Sequence, residues 1–388
     1  MIYKNLIRDN SFFKKMSAII KNNRLPNSII LYGDNGIGKE AHAIELCAMI
    51  LCGSEDNKPC GECYNCTKVK NLQNENISLI YPLPRGRIKS KNDSTSKAIS
   101  EKNKPLLAEK LKNKTLNPYS KINLPGANKI LINSIRELKK TIFLGTINDN
   151  FKIVLILDAN KLCYPTQESG NSLLKILEEP PKKTIFILVT SKFNQLLDTI
   201  KSRSQTIKIK NPNTKLISNY INTYKPSNYN ELIAKMCNGN LRYALEWISK
   251  EDSYFESIIN LIEKFIFMQN INQMPKAIEL LQVSNKNGDI KTIFILLNSI
   301  LSDIIKHNSL IENAGEKNFY TNLIIDISEK YKDANWQKCI DLVNANFMLF
   351  RTNANYEIQA MNFLLDFNRL LKGVKLEVFS IENWLYQN

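Results

Sequence analysis

Apolar residues fall in short solid runs in the first half of the chain and in longer helical stripes in the second. Residues 29–32 (Ile-Ile-Leu-Tyr) form a run that stops at Gly33-Asp34. Residues 41–52 then carry Ala41, Ile44, Leu46, Ala48, Met49 and Leu51 at helical spacing. A solid run, a glycine turn and a helical stripe predict strand, loop and helix. A second run, 153–157, ends at Asp158, and a third, 184–190, follows the break at Pro180-Pro181. Between them, 168–179 predicts a helix with Leu173, Leu174, Ile176 and Leu177 as its buried stripe, ending before the prolines as helices do. Strands that alternate with helices predict a parallel α/β sheet.

Beyond Lys210 the pattern turns helical. Ile258, Leu261, Ile262 and Phe265 share a face, as do Ile293, Leu296, Leu297, Ile300 and Leu301; Met361, Leu364 and Leu365 open a third such segment. A chain of 388 residues is long enough for two or three domains. The boundaries read as an α/β domain over 1–210, a small helical domain over 211–248 and an all-helical domain over 249–388. There is no short internal repeat.

Residues 85–121 differ in character. Eleven Lys or Arg against three acids give this segment +8, half of the chain's +16. Its apolar residues are sparse, and it reads as a solvated insertion with one short helix near 105–112. The excess of 53 basic over 37 acidic residues suits an anionic partner such as nucleic acid, although surplus lysine also serves solubility. The insertion either touches phosphates through salt-sensitive contacts or is simply solvated. Tyr119 is its one aromatic residue.

No apolar stretch approaches the ~18 residues that a membrane span needs. The longest solid run, 46–52, has seven residues, and the N-terminus lacks a signal-peptide core. A soluble, cytoplasmic protein is expected.

Candidate chemistry lies first at Gly33-Asp-Asn-Gly36-Ile-Gly38-Lys39-Glu40. The pattern G-x-x-x-x-G-K-[ST] between a strand and a helix cradles phosphates with backbone N–H groups. It aims a lysine at the β- and γ-phosphates and gives Mg²⁺ a hydroxyl ligand. Gly33, Gly36, Gly38 and Lys39 suit a nucleotide. Glu40 stands where the hydroxyl belongs and adds negative charge beside a triphosphate. The alternative is a glycine turn with no ligand. Hydrolysing relatives of this loop type end a core strand in Asp-Glu, the Asp supporting Mg²⁺ and the Glu activating water. Here the strand ends in Asp158-Ala159. Asp158 either supports magnesium or caps the strand, and alanine orients no water. No ATPase activity is expected from this chain alone, while binding of ATP or ADP without turnover stays open.

Four of eight cysteines crowd into Cys52-x7-Cys60-x2-Cys63-x2-Cys66. Four thiolates suit a tetrahedral Zn²⁺, and each C-x-x-C turn supplies two ligands. All four positions being cysteine, the expected zinc is structural. Cys47, within the apolar helix, competes as a ligand but reads better as a core thiol.

Two stretches resemble the bacterial DNA polymerase III clamp-loader subunits and their replication-factor-C relatives, members of the AAA+ P-loop proteins. They are 171–181 (Asn-Ser-Leu-Leu-Lys-Ile-Leu-Glu-Glu-Pro-Pro) and 196–204 (Leu-Leu-Asp-Thr-Ile-Lys-Ser-Arg-Ser). In that family a Ser-Arg-Cys motif closes the sensor-one region, and its arginine reaches the ATP site of the neighbouring subunit. Here Ser202-Arg203-Ser204 keeps the arginine and not the cysteine, and Thr190 or Ser191 holds the sensor-one position. The segment 239–245 resembles sensor two, with Arg242 as its arginine; pairing with acidic residues between domains is the other reading. The zinc module inserted after the P-loop helix is also a family feature. The resemblance covers 10–85 and 125–250, and the helical remainder fits the collar domain by position and composition.

What the resemblance implies is an AAA+ domain over 1–210 (zinc module 52–66, basic insertion 85–121), a lid domain over 211–248 and an oligomerising collar over 249–388. A zinc module and an arginine finger combined with broken Walker motifs resemble the delta-prime branch rather than the motor branch, gamma/tau. The implied role is a noncatalytic stator in the polymerase III holoenzyme. Arg203 would act in trans, gamma/tau and delta would be partners, and the sliding clamp and primed DNA would be met through the complex near the nucleoid. The alternatives are an ATP-hydrolysing motor subunit and a stand-alone zinc protein that binds DNA. Family members track duplex phosphates with helix N-termini. Residues 133–144, with Arg136, Lys139 and Lys140 and capped by Asn133 or Ser134, offer such a helix or an ordinary amphipathic one.

Overall fold

Three solid apolar runs become the central strands of a parallel sheet: β1 (Ser28–Tyr32), β3 (Lys152–Ile156) and β4 (Thr184–Thr190). Two further strands, β2 (Ile77–Ile80) and β5 (Gln205–Lys208), close its edges, giving the order β2-β3-β4-β1-β5. The computed structural model describes residues 1–54, 58–143, 150–268, 273–286, 289–309, 319–349 and 355–375. Strands covered on both faces are continuously apolar, which is why β1, β3 and β4 show in the sequence. The edge strands do not: Ile77-Ser-Leu-Ile is mostly half-buried and Gln205-Thr-Ile-Lys alternates with water.

All pairings are parallel, with Tyr32 beside Thr190 and Ile156 beside Leu188. The carboxyl ends of β1, β3 and β4 therefore lie along one edge, where open α/β sheets bind ligands. α2 (Lys39–Leu51) leaves that edge after β1, and α6 (Glu168–Glu178) returns the chain to β4. α5 (Ile132–Ile142) packs with α6 over one sheet face, where Ile135, Leu138, Leu173 and Ile176 meet Val154 and Phe186. α1 (Asn10–Lys21), which buries Phe12, Phe13 and Met16 on one face, is capped by Asp9, whose carboxylate accepts from the Ser11 and Phe12 amides. The remaining helices of this part are α3 (Tyr64–Lys70), α4 (Lys104–Leu116), α7 (Asp198–Ser202), α8 (Thr214–Asn222) and α10 (Leu241–Ile248).

The basic insertion is not merely solvated. Ile88 and Ala98 join Leu83, Leu124, Ala127 and Leu131 in a small core of their own, and Lys114 and Tyr119 are fully buried. Its main helix, α4, is longer than the apolar spacing suggests because its face is held by Lys114 rather than by an apolar stripe.

The chain divides into two compact units, residues 1–226 with 237–248 and residues 227–236 with 249–388. The second contains α9 (Asn230–Met236), α11 (Asp252–Ile266), α12 (Met274–Lys286), α13 (Ile290–Ser309), α14 (Phe319–Lys330), α15 (Trp336–Leu349) and α16 (Tyr356–Leu371). α13 is its axis, with Ile293, Leu296, Leu297, Ile300 and Ile304 all buried, and Phe294 meets Phe363 of α16 with ring centroids 5.1 Å apart. Lys235 of α9 is 3.2 Å from the Asp303 carboxylate of α13. No helix among the described residues is long and apolar enough to cross a membrane.

Candidate functional site

The glycine loop turns between β1 and α2 with Gly36 and Gly38 at positive φ, 77° and 87°. Both glycines permit close approach by the chain itself. A Cβ on Gly36 would lie 1.6 Å from Asn240 Oδ1, and one on Gly38 would lie 2.9 Å from the Tyr119 ring. The Leu241 amide donates to the Gly36 carbonyl at 3.1 Å, so α10 begins on the loop. The Lys39 ammonium donates to the Asp34 carbonyl, and its burial lowers its pKa to about 8.

Glu40, in the first turn of α2, meets an ammonium. Lys114 Nζ lies 2.7 Å from its carboxylate and also donates to the carbonyls of Pro118 at 3.1 Å and Ser120 at 2.7 Å. Burial alone would raise the Glu40 carboxyl, but the Lys114 charge overrides it and holds the group below the usual carboxylate range. Asp158, in a left-handed conformation (φ 50°) just past β3, accepts from Lys121 at 2.6 Å. Arg242 Nε donates to the Tyr119 carbonyl at 3.2 Å, and its charge also acts on the Glu40 carboxylate. Thr190 Oγ1 donates to Asn160 Oδ1 at 3.1 Å, beside the same pocket. The cavity left among Asn35, Lys39, Thr190, Ser191 and Arg242 is about 30 Å³. That is room for a water or two, against the ~300–1,000 Å³ of ordinary ligand sites.

Gly36, Gly38, Lys39, Asp158 and Arg242 line one small pocket, with Gly33 at the start of its loop. Lys114, Tyr119 and Lys121 are further members of the site, drawn from a segment whose composition predicts solvation. Glu40 signals only that some cation must meet it, because an unpaired buried charge is strongly unfavourable; it does not say which lysine, and it gives no sign of Tyr119 or Lys121.

Arg203 lies elsewhere. It follows α7 and precedes β5, and Ser204 beside it is 2.7 Å from Ser28 at the start of β1. Arg203 therefore sits at the amino edge of the sheet, on the opposite side from the glycine loop. Its guanidinium is about two-fifths exposed, 3.0 Å from the Glu178 carboxylate and 3.2 Å from the Thr199 carbonyl.

The cysteines meet as spaced. Cys52 ends α2, Cys63 caps α3 and Cys66 lies within it. The four Sγ atoms lie within 4.8 Å of one another, with Cys52–Cys63 at 4.0 Å and Cys60–Cys66 at 3.9 Å. Metal–sulfur bonds of ~2.3 Å in a tetrahedron place sulfurs ~3.8 Å apart, so the cluster fits one metal ion and no disulfide. Amides of Cys60 and Cys63 donate to the sulfurs of Cys52 and Cys60 at 3.4 and 3.3 Å, an arrangement that favours thiolates. Cys47 is fully buried in α2 and stands outside the cluster.

The N-terminus of α5 is covered by the insertion. Asn133, now within the helix rather than its cap, donates to the carbonyls of Ser90 at 3.0 Å and Asp93 at 2.8 Å, and Arg136 donates to Asn92 at 2.8 Å. These groups face their own chain and leave Lys139 and Lys140 exposed on the last turn.

His42 ties the site to α1. Its Nδ1–H donates to the Gly38 carbonyl at 2.8 Å and its Nε2 accepts from the Asp9 amide at 3.0 Å, which sets the neutral tautomer. Burial pushes its pKa down from 6.5 to about 4. Unfolding lets this imidazole take up a proton, so the stability it contributes is complete above pH ~6.5 and is lost as pH falls towards 4. The loss amounts to about 3 kcal/mol. The His42 imidazole resonance is expected not to titrate between pH 8 and 5; a midpoint near 6.5 would contradict the packing.

A family described as "DNA polymerase III, delta subunit" matches residues 8–213. The delta' subunit of DNA polymerase III from Haemophilus influenzae is 22% identical over 288 residues, 74% of this chain and 73% of that protein. Its counterpart from Bacillus subtilis is 25% identical over 251 residues, 63% of this chain and 60% of that protein. The gamma/tau subunit from Mycoplasma genitalium is 25% identical over 311 residues, 78% of this chain and 44% of that protein.

Proposed function

The chain belongs to the family described as DNA polymerase III delta subunits, and from that premise we propose that it is the noncatalytic, delta-prime-type subunit of a clamp loader. Its partners are the other loader subunits, gamma/tau and delta, and through them the sliding clamp and primed DNA. The observation that carries this reading is the separation of two parts. The glycine loop, with Glu40 in place of the hydroxyl and Ala159 in place of the catalytic glutamate, lies at the carboxyl edge of the sheet. Arg203 lies at the amino edge, with an exposed guanidinium held by a surface partner. β1 alone spans ~13 Å between these edges, so Arg203 cannot serve its own loop. A guanidinium so placed suits phosphates bound by a neighbouring subunit, where it stabilises the charge that develops during transfer.

The four-cysteine cluster is the structural zinc site of this subunit. Cys52, Cys60, Cys63 and Cys66 would hold the ion, which would tie α2 to α3 and supply no catalysis, because all four tetrahedral positions are protein sulfurs. The helical second unit is proposed as the collar through which subunits associate.

ATP turnover by the purified chain separates this reading from a motor subunit. Turnover is expected at background level, and Lys39→Ala should leave it there. A rate above background that Lys39→Ala abolishes would reassign the chain as a motor.

A further inference from the structure

We propose that residues 114–121 are a built-in occupant of the phosphate pocket, an intramolecular plug that excludes nucleotide by filling the loop with the chain's own cations. The inference deepens the noncatalytic reading, and its test on the isolated chain is independent of Arg203 and of assembly.

The charges are the core of the argument. A hydrolysing loop brings a dication to two places, the hydroxyl after its lysine and the aspartate that ends a second core strand. In this chain the first place carries Glu40 and the second Asp158, and each meets an ammonium from one eight-residue stretch: Lys114 at 2.7 Å and Lys121 at 2.6 Å. Two lysines supply the two positive charges of one divalent ion, without the ion. Glu40 is thus one half of an ion pair rather than only a damaged motif position.

Steric contacts make the occupation permanent. Between the two lysines, Tyr119 lays its ring against Gly38, in the space that the loop glycines leave open. Its hydroxyl accepts from the Ile7 amide at 2.8 Å, its ring meets Tyr220 of α8 edge-on at 5.8 Å, and its carbonyl accepts from Arg242 of α10. The Lys114 carbonyl accepts from the Tyr3 hydroxyl at 3.0 Å. The N-terminal segment, α2, α8 and α10 all grip the stretch. Lys114, with three acceptors and 1% of its side chain exposed, has no route to water without dismantling the pocket. A basic insertion that carries half of the net charge therefore has an internal task for two of its cations.

The test measures ADP and Mg-ATP binding by calorimetry on three full-length proteins. The wild type is expected to bind neither. A variant with Glu40→Ser alone restores the hydroxyl and keeps Lys114, still held by the Pro118 and Ser120 carbonyls, with Tyr119 and Lys121 in place; it is expected to behave as the wild type. A third, with Glu40→Ser and residues 114–121 replaced by a glycine-serine linker of equal length, is expected to bind nucleotide at least ~10-fold tighter than the other two. If the second variant binds as well as the third, residue 40 alone decides and the plug is refuted. If the third retains its circular dichroism and cooperative melting yet still binds nothing, the plug is equally refuted. Should the third not fold, hydrogen exchange of the wild type decides: amides of 114–121 are expected to exchange as slowly as those of β1, and fast exchange overturns the proposal.

Discussion

Replacing Arg203 by alanine is expected to lower DNA-stimulated ATP turnover in the reconstituted clamp loader by on the order of 10³ at the one site this arginine faces, the lower end of what arginine fingers contribute to GTPases. Total turnover of the assembly falls by the share which that site supplies. Assembly itself should be unchanged. The ion pair that Arg203 makes in its own chain, with Glu178, is exposed on both sides, and such surface pairs contribute about 0–1 kcal/mol. A pair so weak is no obstacle to exchanging the carboxylate for a neighbour's phosphate, which is what the prediction requires. Arg203→Lys should recover little, since an ammonium retains the charge but lacks the planar fork that grips two phosphate oxygens. Normal assembly, measured by gel filtration, with unchanged turnover would remove the trans-acting role and leave Arg203 as a surface residue.

The second large effect is expected at the cysteine cluster. Metal analysis of the purified chain should find about one zinc, and the double variant Cys60→Ser, Cys63→Ser should bind none. Structural zinc carries on the order of 10 kcal/mol of binding free energy in small modules, and this becomes folding free energy because the unfolded chain has no formed site. In this chain the loss concentrates where α2 meets α3. Cys52 closes the first helix, Cys63 and Cys66 open the second, and a further tie is a hydrogen bond of 2.8 Å from Asn65 to the Leu51 carbonyl. Melting temperature should fall, and chelation of the wild type should reproduce that fall. A double variant that melts like the wild type, or a wild type that purifies without metal, would refute the zinc assignment.

Strands buried on both faces were visible in the sequence because every residue in them must be apolar: Ile29 to Leu31, Ile153 to Ile156 and Ile185 to Val189 are all shielded from water. The edge strands were not, because a half-wet strand of four residues carries too few apolar positions to mark a period. The cysteine cluster was legible too, since two overlapping C-x-x-C turns supply Cys60, Cys63 and Cys66, and Cys52 stands close before them at the end of the preceding helix. The nucleotide loop was legible only in part. Its glycines, Lys39 and Asp158 follow from the motif, while nothing in the sequence separates Lys114 and Lys121 from the solvated lysines around them. The phosphate-tracking role considered for the α5 N-terminus met the same difficulty, because the loop that covers Asn133 comes from some forty residues earlier.

Local chemistry, then, was written in the chain: which stretches are strands, that the phosphate loop lacks its hydroxyl, that four thiols suit one metal, and which families the motifs resemble. Each depends on residues a few positions apart, where spacing and backbone geometry dictate the outcome. What answers the Glu40 charge was decided only in three dimensions. Its partner lies 74 positions away on a helix without an apolar stripe, and a buried ion pair leaves no periodic mark, since any lysine brought within ~3 Å would serve. Which edge of the sheet carries Arg203 was likewise settled by parallel topology, which separates the two ends of β1 and so sets that arginine apart from the loop in its own chain.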